Sequence, residues 1–179
     1  MAAAEEGYAP SERPVRAAAD SRLPVGTGLL PLYLSQDWDD PLPAVTRAVI
    51  MLHGRRRDAD TYRDVAENAA RAAGAAATGS LLIIPQFLAG PDIRHHGLPA
   101  DMLCWTLEGW MGGEPAETPA PISSFDALDV ILARLRDRAR LPNLQNVSSP
   151  DIRAALRSRN AMQSSDAASD RPRESRCAM

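Results

Sequence analysis

The residues best placed to do chemistry are few. The chain has three histidines, His53, His95 and His96, and two cysteines, Cys104 and Cys177. Asp92 with His95, His96 and His53 is the one grouping that could be read as a metal site. Adjacent histidines in an extended segment point to opposite sides, however, and a pair on one loop is ordinarily solvated. The cysteines lie far apart in dissimilar surroundings and form neither a zinc spacing nor a disulfide framework. No G-x-G-x-x-G follows an apolar run, which removes dinucleotide binding. The expectation is no metal and no cofactor. What remains is His53-Gly54-Arg55 at the end of an apolar run, the tryptophans Trp105 and Trp110, and the hydroxyl pair Ser123-Ser124.

These residues need elements to hold them. "RAVIMLHG" has five consecutive apolar residues, Ala48 to Leu52, without polar alternation, as in a parallel strand covered on both faces. After a basic turn, Asp60-Thr61 can cap a helix with apolar positions Tyr62, Val65, Ala66, Ala69, Ala70 and Ala73, stopped by Gly74. "LLIIP", Leu81 to Pro85, is a second apolar strand. Residues 86–122 make a long connection of the kind that is functional or disordered; its two tryptophans favour order. Ser123 or Ser124 caps a further helix, with Phe125, Leu128, Ile131, Leu132 and Leu135 as its stripe and Asp126 in its first turn. Upstream, Leu23 to Leu34 suits a short strand or two, broken by Gly26, Gly28 and Pro31. The order strand, helix, strand, loop, helix, with a strand due at Val147, predicts an α/β domain with a parallel sheet and flanking helices.

Composition frames this. A chain of 179 residues can bury one core. A net charge of −3 offers no footprint for nucleic acid. All 20 basic residues are arginine, as a GC-rich gene would encode. The N-terminus carries acids and no apolar stretch, unlike a secretory signal, and no run is long enough to span a membrane. A cytoplasmic protein is expected. Residues 1–22, rich in Ala, Glu, Arg and Pro without periodicity, are predicted to be a disordered leader, and residues 148–179 a disordered tail. The domain is expected over residues 23–147.

Taken in order, "VIMLHGRRRDADTY", "LLIIPQF", "CWTLEGWMGG" and "ISSFDALDVILARL" resemble the α/β-hydrolase fold, and within it an uncharacterised microbial and fungal branch of serine hydrolases. The carrying features are His-Gly after a strand with its Arg57-to-Tyr62 continuation, the Pro-Gln-Phe strand end, the tryptophan loop and the Ser-Ser-Phe helix start. The resemblance implies serine ester hydrolysis of a small-molecule ester-like substrate. It also implies that His53, Gly54 and Arg55 border an oxyanion hole, where a backbone N–H would bind the negative oxygen of a tetrahedral intermediate. A plain strand-ending turn is the other reading of these residues. Trp105 and Trp110 would line a pocket under the resemblance; burial in the core is the ordinary fate of a tryptophan.

One part is missing. The nucleophile of this fold sits in G-x-S-x-G, and no such pentapeptide occurs in the 179 residues. Ser123-Ser124 has no flanking glycines and reads as a helix cap. The acid and the histidine should follow the nucleophile, yet after Val147 there are only Asp151, Asp166, Asp170 and Glu174, and no histidine. One permitted back-translation of residues 147–165 would account for the gap. With one G restored after the codon for Val147, it reads as an apolar strand, then G-H-S-R-G, then a helix, with the serine straddling the codons of Ile152 and Arg153. The expectation is a hydrolase fragment, truncated or frameshifted before its nucleophile elbow and inert as written. Such a fragment has an unpaired apolar sheet edge and is prone to aggregation or chaperone binding. The alternative is an intact, non-enzymatic module that binds a partner through residues 86–122.

Overall fold

The computed structural model describes residues 12–149. The chain opens as a hairpin, β1 (Ser21–Val25) and β2 (Gly28–Leu34), paired antiparallel and turning at Gly26, whose φ of 56° suits glycine. Pro31 is accommodated within β2 because the ladder to the next neighbour begins only at Leu32. β3 (Arg47–Ile50) leads into α1 (Ala59–Ala73), and β4 (Ser80–Pro85) follows. The later elements are β5 (Leu88–Ala89), α2 (Gly90–His96), β6 (Cys104–Trp105), α3 (Gly109–Gly112), α4 (Ser124–Leu135) and β7 (Asn146–Ser148).

The main sheet has the order β1-β2-β4-β3-β7. β3 is parallel to β4 and to β7, whereas β2 meets β4 antiparallel, so the sheet is mixed rather than wholly parallel. The expected α/β arrangement of sheet and flanking helices is present. The added antiparallel pair arises because Gly26 permits a tight hairpin, and a hairpin partner can only run antiparallel.

Both faces of the sheet are covered, as the unbroken apolar runs require. Tyr33, Leu82 and Ile84 pack with Ala59 and Ala66 of α1, joined by Val49 and Met51. The alternate residues Ala48, Ile50, Leu81 and Ile83 point to the other face and are fully buried. α4 begins where the Ser123 hydroxyl accepts from the Phe125 N–H at 3.1 Å, and buries Ala127, Leu128, Ile131 and Leu135. Ser123, not Ser124, is the cap; the Ser124 hydroxyl donates to the Trp110 carbonyl at 2.5 Å.

Several expectations are corrected. Asp58 caps α1, without a side-chain bond, in place of Asp60-Thr61; Asp60 lies buried in the first turn and accepts from Arg16 Nε at 2.6 Å. The helix buries little of its stripe, and Val65 is 55% exposed. The leader is not free through residue 22. From Glu12 onward the chain is described, and Val15 and Ala19 are buried against the domain. Composition missed this because its attachment is polar and long-range. The Val15 N–H donates to Asp92 and the Ala19 N–H to Gln86, 77 and 67 residues away. Residues 86–122 fold as β5, α2, β6 and α3 rather than as an open loop. A strand does arrive at Val147, as β7, but it is short, lies at the sheet edge and leaves Val147 47% exposed. The tail expected over residues 148–179 lies outside the described residues beyond Ser149. No helix among the described residues is long and apolar enough to cross a membrane.

Candidate functional site

The topology marks one position. From β3 the chain crosses through α1 to β4 on one side, then returns to β7 on the other side of β3. In open α/β sheets, ligands bind beyond the carboxyl ends of strands where the order reverses in this way. The turn after β3 is therefore the place to look, and it carries His53, Gly54 and Arg55.

The turn is tight. Arg57 N–H donates to the Gly54 carbonyl at 3.0 Å, and Arg57 takes a left-handed φ of 59°. That conformation costs an arginine about 1–2 kcal/mol, and the side chain shows what offsets it. Arg57 and Asp92 are both fully buried. Arg57 Nε donates to Asp92 Oδ2 at 2.6 Å and Nη2 to Oδ1 at 3.1 Å, a bidentate pair. Asp92 also accepts the Val15 and Ala89 N–H groups at 2.9 and 2.8 Å. Gln86 completes the network, with Nε2 donating to the Arg57 carbonyl at 3.1 Å and the Ala17 carbonyl at 3.0 Å. The Arg57-to-Tyr62 and Pro-Gln-Phe stretches are thus halves of one buried polar brace that fixes the turn. Sequence reasoning gave Arg57 and Gln86 no structural role. Arg57's partner Asp92 lies 35 positions downstream, and Gln86 reaches back to the Arg57 carbonyl and to Ala17 and Ala19; no local pattern announces such contacts.

His53 is structural. Its ring is buried, edge-on to Trp110 at 4.5 Å and to Phe87 at 5.7 Å. The Phe87 N–H donates to Nε2 at 2.9 Å, which makes Nε2 the acceptor and leaves Nδ1–H to donate to the Gly54 carbonyl at 2.9 Å. Burial, with the Arg57 charge adding to it, lowers its pKa to about 4, so the ring is neutral at pH 7. With both nitrogens engaged, it is no proton shuttle and no oxyanion donor. It holds the Gly54 backbone in place.

Gly54 borders an open hollow of about 410 Å³ with Met51, Arg55, Arg56, Asp58, Thr61, Tyr62 and Val65. Arg55 reaches across to Glu108, on the segment leading into α3. Trp105 is wholly buried in β6 and Trp110 nearly so, stacked on Phe87 at 5.1 Å. Neither is among the residues that line this hollow; both are packed in the core. A strand pair, β5 with β6, draws this segment inward and explains the outcome.

The metal reading fails on partners. Asp92 is consumed by Arg57, and His96 Nε2 lies 2.8 Å from the Val15 carbonyl. No group of three or more His, Cys, Asp or Glu among the described residues could hold a metal ion. Cys104 is buried and its thiol pKa is raised by that burial, which leaves it a poor nucleophile. The arrangement at the β3 turn can therefore position backbone donors at a sheet switch point, but its histidine, with both ring nitrogens engaged, does not serve as a general base. No family model matches the chain, and no curated protein or solved structure is detectably similar to it.

Proposed function

We propose that residues 12–149 are the amino-terminal scaffold of an α/β-hydrolase of the serine ester hydrolase type, carrying the oxyanion side of its site and no nucleophile. As written, the chain turns over no ester. The observation that carries this reading is the Gly54 turn at the carboxyl end of β3, placed where the strand order reverses and beside the strand, β7, after which a nucleophile elbow would come. The oxyanion donor of that fold comes from the loop joining its third strand to the following helix, which is the position of His53-Gly54-Arg55 here. The supposed elbow falls at residues 150 onward, outside the described residues.

The alternative, a binding module working through residues 86–122, finds less support. That segment turns Phe87, Trp105 and Trp110 into the core, whereas a binding loop would present them. The test is ester turnover. The chain as written should leave p-nitrophenyl butyrate at its background rate. A version with one base restored after the codon for Val147, translated on through the reading frame that follows so that the acid and histidine are supplied, should hydrolyse it. Turnover by the unrestored chain, after purification to constant specific activity, would contradict the reading.

A further inference from the structure

Two hydrogen-bond donors at the β3 turn serve no described residue. The Tyr62 ring packs on the core around Ala59, Ala66 and Leu82, while its hydroxyl lies against Gly54. A Cβ at Gly54 would stand 3.0 Å from that hydroxyl oxygen, closer than side chains normally tolerate. Among the described residues, no hydrogen bond uses the Tyr62 hydroxyl or the Gly54 N–H. Gly54 and Tyr62 both border the same 410 Å³ hollow, with Met51 and Val65 among its apolar walls.

We propose that the Tyr62 hydroxyl and the Gly54 N–H form a two-donor cradle for the carbonyl oxygen of a small, neutral acyl ester held in this hollow. The charge around it argues for a neutral ligand. Arg55 and Arg56 line the hollow beside Asp58, and Glu108 pairs with Arg55, so each sign of charge is present at its rim. A carbonyl oxygen has two lone pairs and takes two donors without the desolvation penalty that a carboxylate would bring. Glycine at position 54 is explained by the same geometry, since any side chain there would push the tyrosine hydroxyl away. The choice of an ester rests on the hydrolase reading; the two-donor cradle rests on the geometry alone.

The experiment uses the full chain as it exists, labelled with ¹⁵N and titrated with methyl butyrate, then separately with sodium butyrate. The Gly54 amide should shift saturably with the ester. Tyr62→Phe should weaken binding about two- to tenfold, the worth of one neutral hydrogen bond. Gly54→Ala should weaken it as well, by displacing the hydroxyl. Butyrate should bind less tightly than its methyl ester. The proposal is overturned by a Gly54 amide that does not respond to the ester, by Tyr62→Phe binding as the parent does, or by tighter binding of butyrate. Failure here and failure of the hydrolase reading are separable. Ester turnover by the restored chain, with ester binding indifferent to Tyr62, removes the cradle alone. Tyr62-dependent binding without turnover by the restored chain removes the hydrolase reading alone.

Discussion

Replacing Asp92 by alanine removes the acceptor of the brace and leaves a guanidinium sealed in the interior. Arg57 and Asp92 are both fully buried and joined by bonds of 2.6 and 3.1 Å, so water cannot take over the lost contact without opening the domain. Breaking a buried pair from one side costs about 3–5 kcal/mol. The Val15 and Ala89 N–H groups lose their acceptor in the same step. Against a total stability of about 5–15 kcal/mol for a domain of this size, this is a large fraction. With a urea slope of about 2 kcal/mol per molar, the midpoint should fall by about 2 M. Urea unfolding followed by tryptophan fluorescence reads this directly, because Trp105 and Trp110 are buried. The double variant Arg57→Met with Asp92→Leu removes both charges and should recover the part of the loss due to the stranded guanidinium, while the Val15 and Ala89 N–H groups stay without their acceptor. A midpoint for Asp92→Ala within about 0.3 M of the parent would refute the claim that this pair holds the turn.

Three further outcomes follow from the same structure. His53 is neutral when folded, with its pKa lowered from 6.5 to about 4. The unfolded chain therefore binds the extra proton first, and stability falls as pH drops from about 6.5 towards 4, by up to about 1.4 kcal/mol per pH unit. The pH series should be flatter in that window for His53→Gln, and an unchanged slope would show that the ring is not the titrating group. Ser123→Ala removes the α4 cap and should cost about 1 kcal/mol in thermal or urea unfolding. Val147→Lys, on the exposed edge, should change stability by less than about 0.5 kcal/mol and reduce aggregation measured by light scattering; a loss above about 2 kcal/mol would mean that the edge is covered in solution.

The sheet and its two longer helices were legible because their signals are local. Unbroken apolar runs at β3 and β4, a period of 3.6 in α4 and the serine cap each arise within a dozen residues. The position of the candidate site was legible too, since the turn after β3 is fixed by the strand that precedes it. The roles within the site were not. His53 reads as chemistry and acts as a brace, because its partners, the Phe87 N–H and Trp110, come from distant segments. Tyr62 looks like one more stripe residue of α1, and only the fold sets its hydroxyl against Gly54. The segment at residues 12–19 has a leader's composition yet is tied down by Asp92, Gln86 and Asp60, through backbone and charge contacts that no periodicity reveals. The mixed sheet departs from a parallel one because the hairpin turn at Gly26 decides strand direction, which hydrophobicity does not encode.

The central claim is that this scaffold carries the oxyanion side of a hydrolase site without an attacking group. Covalent labelling with a fluorophosphonate, read by intact mass and peptide mapping, tests it most directly. The account predicts no adduct on the chain as written and a single adduct on the one-base-restored chain, at the serine whose codon straddles those of Ile152 and Arg153. A stoichiometric adduct on the unrestored chain, or none on a folded restored one, would contradict it.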